Sequence, residues 1–302
     1  MKKIHSVNND FVNARLDKWY KRNICDVPQS LLEKNIRKGK IKVNNKKVKS
    51  SYKLKKNDEI FIFDFNPTLD KKNKNKYLPS KKEISSTSKF IIEDNDNFIV
   101  INKPAGLPVQ SGTKSKRNIL DILGKTKHFL YSKPYTVHRI DKETTGVLLI
   151  AKNRKYAQLF TSLFRIRKIY KTYLCIVIGE MEKNKGTFED ILYYYEKDKK
   201  ISAKAITHYE VLDSNNNYSF LKLNPTTGRK HQIRKQLFIR NHPVLGDDKY
   251  NYPHYKFNKK NKLMLHAYKL NFFIDNKKYE LIAEISDDFK KILKEKYLKN
   301  SF

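Results

Sequence analysis

TVHRIDKETTGVLLIAK, residues 136–152, is the stretch around which the chain is organised. Its second half, Val147 to Ala151, is an unbroken apolar run of strand length. Its first half is polar and carries charges of both signs, so it reads as a loop delivering side chains to the end of a buried strand. Arg139 and Asp141 are two residues apart, and in extended chain such residues point the same way. An acid so placed is conspicuous in a chain with 65 Lys+Arg against 31 Asp+Glu. On this stretch alone, an ordinary loop Asp paired with a neighbouring Arg is the simpler reading.

Downstream, Asn153 is placed to cap a helix, and Tyr156, Leu159, Phe160, Leu163 and Phe164 fall at helical spacing as a core stripe. Tyr170 to Ile178 reads as a strand, and further strands lie near 201–212 and 218–223. Residues 223–234, LNPTTGRKHQIR, then end a strand, turn at Pro225 and Gly228, and start a basic helix near His231. Backbone amides and arginines at such a start suit phosphate oxygens. A charged helix closes the chain over Asp288 to Leu298. Upstream, Phe90–Ile92 and Phe98–Ile101 are short strands, followed by the loop NKPAGLPVQSG and a short amphipathic helix over Asn118–Leu123. Many strands with few helices between them predict an α+β domain on a mixed, mainly antiparallel sheet over residues 89–302.

Residues 1–65 form a smaller unit. A helix starts in RLDKWY at Arg15. Ser30-Leu31-Leu32-Glu33 has the spacing of a capping box and opens a second helix, which runs to about Lys38 and ends at Gly39. Ile41 and Val43 alternate with lysines as a strand, Asn44-Asn45 turns the chain, and Val48, Ile60, Ile62 and Phe65 supply further apolar positions. The whole reads as an αα-β module. Residues 66–88 hold two prolines, the run KKNKNK and the cluster SSTS, the composition of a flexible linker.

The formal charge of +34 calls for a polyanionic partner, since a surface this positive gains affinity by releasing counterions from nucleic acid. Hydrophobic residues at 39%, with 19 Tyr and 17 Phe, exclude a disordered chain. Cys25 and Cys175 have no CxxC and no nearby histidine pair, and His138, His231 and His266 lack ligand spacing, so no metal is expected. MKKIHSVNNDF has no apolar core for a secretory signal, and no run approaches the ~20 residues of a membrane span. A soluble, cytoplasmic protein follows.

Two resemblances sharpen this reading. Residues 27–62, VPQSLLEKNIRKGKIKVNNKKVKSSYKLKKNDEIFI, resemble the S4 RNA-binding domain, which implies that Lys34, Arg37, Lys38, Lys40 and Lys42 face phosphates. HRIDKETTGVLLIAK resembles the signature HRLDxxTSGLLLxAK of the RluA-type pseudouridine synthases. NKPAG, YKTYLCIVIG, PTTGRKHQIR, GDDKY and LHA match that family's other motifs in order, over nearly all of residues 90–285. With an S4 domain ahead, the chain looks closest to the RluC branch, which implies uridines of large-subunit (23S) ribosomal RNA as substrate. By position, the resemblance makes Asp141 the catalytic aspartate, Tyr173 the platform under the target base, and Arg234 the partner that holds Asp141 ionised and oriented. It also implies that Arg139 helps displace the target nucleotide, and that Lys103, Arg229 and Lys230 contact RNA. Ile140, Thr145 and Lys230 depart from the pattern; Lys230 would add a phosphate contact in place of Thr. The reaction breaks N1–C1′ and joins C5 to C1′ with no redox change, so no cofactor is expected, and the enzyme is expected as a monomer with no membrane partner. The competing reading is a non-catalytic RNA-binding or ribosome-assembly protein on the same fold.

Overall fold

The computed structural model describes residues 2–25, 27–63, 77–111, 117–196, 199–252 and 262–300. The chain divides into two compact units, Met1–Lys76 and Tyr77–Phe302. The first contains β1 (Lys2–Ser6), α1 (Leu16–Asn23), α2 (Gln29–Arg37), β2 (Ile41–Val43) and β3 (Glu59–Phe63). Its three strands form an antiparallel sheet in the order β1-β3-β2. Leu16, Trp19 and Tyr20 of α1, Leu32 and Ile36 of α2, and Ile41, Val43, Ile60 and Ile62 of the strands share one core. Strand β1 adds to the αα-β reading; KKIHS alternates, but its short, charged run gives little local signal.

The ends of α2 divide between agreement and correction. Gly39 is left-handed (φ 77°), its amide donates to Ile36 O, and the amide of Lys40 donates to Asn35 O, the double bond of a glycine C-terminus. At the N-terminus, the expected Ser30–Glu33 capping box does not form. Pro28 stands at the cap with φ −52°, the helix is already running at Gln29, and Ser30 lies inside its first turn. Glu33 instead accepts from Gln29 Nε2 at 2.8 Å.

The same Ser-x-x-Glu spacing does form a capping box at Ser80–Glu83, which opens α3 (Lys81–Ser86) in the stretch whose composition reads as linker. Arg117 Nε donates to Glu83 at 2.7 Å and ties this helix to the chain just before Ile119. Residues 80–88 are therefore folded, while Phe65 and residues 66–76 of the expected linker lie outside the described residues.

The second unit continues with β4 (Ile91–Asp94), β5 (Phe98–Lys103), α4 (Ile119–Leu123), β6 (Tyr135–Thr136), β7 (Thr145–Ala151), α5 (Arg154–Arg165), β8 (Tyr170–Ile178), β9 (Lys185–Glu196), β10 (Lys199–Asn215), β11 (Tyr218–Pro225), α6 (Gln232–Ile239), β12 (Leu265–Ile274), β13 (Lys277–Ile282) and α7 (Asp287–Glu295). Ten strands make one sheet, with a main path β4-β5-β7-β12-β8-β11-β10-β9. Every pairing is antiparallel except β7 with β12, where Thr145 and Gly146 lie beside His266 and Ala267. Gly146 is required there. Its φ is +108°, and a Cβ would stand 2.1 Å from Ala267 O. The aromatic stripe of α5 packs on one face with Phe98, Val147, Leu149 and Phe272, as its spacing predicts, and Asn153 accepts from the Tyr156 amide at its start. Among the described residues, no helix is long and apolar enough to cross a membrane.

Candidate active site

Asp141 leaves the chain between β6 and β7, in a loop fixed on both sides. On one side, Ile140 is buried in the core with Leu148 and Ala267. His138 Nε2 accepts from the Leu149 amide at 2.9 Å, and its ring stacks on Phe164 with centroids 4.6 Å apart. Burial pulls the His138 imidazole down to about 3, so it is neutral with its proton on Nδ1. On the other side, Lys103 Nζ donates to the carbonyls of Pro104 (2.8 Å), Leu107 (3.0 Å) and Lys142 (2.9 Å). Lys103 is 0% exposed and so is no RNA contact. Burial draws its pKa down to about 7 against the opposing charges of Glu143 and Asp141. With three ammonium protons directed at three carbonyls, Lys103 braces the Asp141 loop from inside.

The Asp141 side chain is 29% exposed and borders a cavity of about 580 Å³. Arg139, Tyr173, Arg229 and Arg234 line the same cavity, so the fold gathers residues from three separate stretches. Arg139 is exposed at its rim. Tyr173, on β8, packs partly among Ile140 and Ala267; burial pushes its phenol up, and the Asp141 charge adds to that. Lys230 is exposed and stands outside the cavity wall.

Arg234 hydrogen-bonds two carboxylates, with a third, that of Asp248, 3.6 Å from its Nη2. Its Nε and Nη2 donate to the two oxygens of Asp247, both at 2.6 Å, while Nη1 reaches Asp141 Oδ2 at 3.3 Å. Asp247 is buried, and its Oδ1 also accepts from the amides of Lys249 and Tyr250 at 2.9 Å. Burial would lower the Arg234 pKa, but the hydrogen bonds and charge of Asp247, with those of Asp141, outweigh it and hold the guanidinium above its usual range. A bidentate fork fixes the plane of a guanidinium. The position of the remaining N–H is therefore set by Asp247 before Asp141 is considered.

Several neighbours carried no role in the sequence reading. His231 adopts a left-handed backbone (φ 54°) at the start of α6, shares a 2.9 Å hydrogen bond with Tyr250 Oη, and brings Nε2 to 3.7 Å from Asp141 Oδ1. Lys171 lines the cavity and donates to Thr227 O at 3.2 Å; burial, then Arg167, lowers it to about 8. Gln232 closes the Pro225–Gly228 turn internally, accepting from Thr227 Oγ1 and from the Arg229 amide. That amide is thus not available to a phosphate. Asp247 lies in the quoted GDDKY, but nothing local says that it faces Arg234, 13 residues away. Among the described residues, no group of His, Cys, Asp and Glu is placed to hold a metal ion.

A carboxylate offered to a basic cavity from the end of a buried strand is the arrangement of an enzyme that works on a polyanion. Residues 97–238 match the family described as RNA pseudouridylate synthase, and residues 15–60 match the S4 domain. A protein of Rickettsia felis named "Ribosomal large subunit pseudouridine synthase C" is 35% identical over 257 residues, 80% of this chain and 83% of its own length. The protein of that name from Buchnera aphidicola is 30% identical, over 95% of each chain. The solved structure of human RNA Pseudouridylate Synthase Domain Containing 4 has a TM-score of 0.63 at 26% identity, covering 72% of this chain and 96% of that one. The chain belongs to the RNA pseudouridylate synthase family and carries an S4 domain ahead of its catalytic unit.

Proposed function

We propose that this protein isomerises uridine to pseudouridine in large-subunit ribosomal RNA, acting as a monomer in the cytoplasm, with Asp141 as the catalytic carboxylate. The observation that carries the assignment is the division of Arg234 between Asp247 and Asp141. Asp247 takes the short bidentate contact, so Asp141 is oriented by one longer bond, and its Oδ1 makes no hydrogen bond among the described residues, with His231 Nε2 3.7 Å away. Such a carboxylate can attack C1′, or take the C2′ proton, as N1–C1′ breaks. Either route needs the ionised acid, and the Arg234 guanidinium stands beside it as a fixed hydrogen-bond donor at 3.3 Å. The substrate is supported by the curated relatives, which are named for large-subunit ribosomal RNA at 30% and 35% identity over most of this chain.

The remaining residues follow the order of events. Extruding a uridine from its stack costs a few kcal/mol. Tyr173 offers a ring in the cavity wall on which the flipped base can stack, a contact worth ~1–3 kcal/mol. Arg139, at the rim, is positioned to fill the space the nucleotide leaves, and Arg229 to meet the backbone phosphates. In the first unit, Lys34 and Arg37 of α2 and Lys38 at its C-cap are exposed in the i, i+3, i+4 arrangement that suits a row of phosphates. Lys42 on β2 lies 5.2 Å over the Phe63 ring, and Lys40 leads into the same strand.

The deciding measurement is tritium release from large-subunit rRNA transcribed with 5-tritiated uridine, because forming C5–C1′ expels the C5 hydrogen. Wild type is expected to release tritium, and Asp141→Asn to lose rate by roughly 10⁴-fold or more. Binding by both proteins with release from neither, on free rRNA and on assembly precursors, would leave an RNA-binding protein in place of an enzyme.

A further inference from the structure

The turn between α5 and β8 ends its helix with an unusual residue. The amide of Arg167 donates to Phe164 O at 3.2 Å and that of Lys168 to Leu163 O at 2.9 Å, the paired bonds that close a helix around a left-handed residue. That residue is normally glycine, because a side chain there is strained. Here it is Arg167, with φ 61°. Its side chain, with that of Arg165, lines the active-site cavity. One residue further on, Lys168 lines a second cleft, of about 450 Å³, together with Leu163, Tyr170, Asn271, Phe273 and Lys278.

Leu163 and Phe272, which also line the cleft, belong to the core beneath α5, and its open part is one face of the sheet. Tyr170 on β8 pairs directly with Asn271 on β12, and Phe273, two residues along β12, pairs with Lys278 on β13. Side chains at paired positions, and at i and i+2, share a face. Lys171 and Tyr173 point to the opposite face, into the catalytic cavity. Tyr170 is 64% exposed and Phe273 61% exposed. Between them Asn271 Oδ1 is buried and has no hydrogen-bond partner among the described residues. Glu280, in the same row, is neutralised by Lys269 at 3.4 Å. Two open aromatic rings with lysines on either side are the pattern of a single-stranded RNA platform. The lysines beside the rings add the positive charge that a nucleotide backbone, as a polyanion, would meet.

We propose that this cleft is a second RNA subsite, which takes an unstacked base flanking the target uridine. The base stacks against Tyr170 and Phe273, and its backbone follows Arg165, Arg167 and Lys168 round the turn from the catalytic cavity. Arg167 and Tyr170 are three residues apart, at most ~11 Å of chain, so the nucleotide taken is a near neighbour of the target. The charge of Arg167 guides the RNA at a position where glycine would carry less strain. The inference rests on the RNA pseudouridine synthase reading and adds to it a determinant of substrate choice.

The test uses the full-length protein, tritiated large-subunit rRNA, and two variants. In Tyr170→Ala/Phe273→Ala both rings removed are exposed, so the core is untouched. KM is expected to rise roughly tenfold, equivalent to about 1.4 kcal/mol of stacking, while kcat changes less than twofold. Arg167→Gly is expected to move two properties upward at once: Tm rises as the left-handed strain is relieved, and KM rises as the guanidinium is removed. A wild-type KM in the double variant overturns the subsite and leaves the rings to a protein partner. A lowered Tm in Arg167→Gly overturns the account of the turn. Absence of tritium release from wild type is a different failure, since it removes the reaction itself.

Discussion

At the scale of single residues, two histidines show how burial sets chemistry. His138 is held to about 3 and His266 to about 4, both chiefly by burial. His266 donates from Nε2 to Ala283 O at 2.8 Å and accepts at Nδ1 from Thr145 Oγ1 at 2.7 Å, which fixes its neutral tautomer. Both folded pKa values lie below the unfolded value of 6.5. The unfolded chain therefore binds these protons first, and stability falls as pH drops below about 6.5, by up to ~1.4 kcal/mol per pH unit for each residue until its folded pKa is reached. Urea unfolding at pH 7.5 and pH 5 measures the loss. His138→Gln keeps an acceptor for the Leu149 amide but cannot titrate, so its acid sensitivity should be about one proton's worth smaller. Identical slopes for variant and wild type would remove His138 as a source. Neither ring has a sequence signature of this role, since both bonds join residues that the sheet brings together.

At the scale of elements, the Asp141 loop depends on a strand pairing. The parallel contact of β7 with β12 places Thr145 beside His266 and requires Gly146 to pass within contact of the Ala267 backbone. Gly146→Ala combines a disfavoured φ with a Cβ 2.1 Å from a carbonyl oxygen. It is expected to destabilise by about 3 kcal/mol or more and to lower activity with it, because the strands must part just after Asp141. Thermal unfolding and tritium release on one preparation check both, and near-wild-type stability would show that the pairing is dispensable. The two Ser-x-x-Glu stretches make a related point. At 80–83 the motif caps a helix, whereas at 30–33 Pro28 has already started one, so equal spacing gives different structure.

At the scale of the whole molecule, an excess charge of +34 is spread over two units, each with its own core. Residues 77–302 alone should retain the chemistry but bind structured rRNA more weakly, with a shallower dependence on salt. Every phosphate that the first unit neutralises adds about 0.7–0.9 to the slope of log K against log salt. If Lys34, Arg37, Lys38, Lys40 and Lys42 all reach phosphates, the slope of the truncated protein should be smaller by up to about 4. Filter binding from low to moderate salt measures it. A truncated protein that binds and modifies full-length rRNA as well as the intact chain would exclude this role for the first unit.

Several features were set by local sequence. The apolar run after Asp141, the stripe of α5, the asparagine cap at 153 and the glycine end at 39 depend on bonds within a few residues, so their spacing suffices to read them. Asp141, Tyr173 and Arg234 could be named from their motifs, but their assembly in one cavity could not. Which of 65 basic residues meets Asp141 depends on a contact spanning 93 positions, and the anchoring of Arg234 by Asp247 on the register of a turn. The same limit explains Lys103, expected to contact RNA and found buried, bracing the loop from within. Side-chain periodicity gives a residue's face within its own strand or helix. Only the order and hand of the sheet decide what stands opposite, because the contacts that stabilise that order are made between stretches distant in the chain.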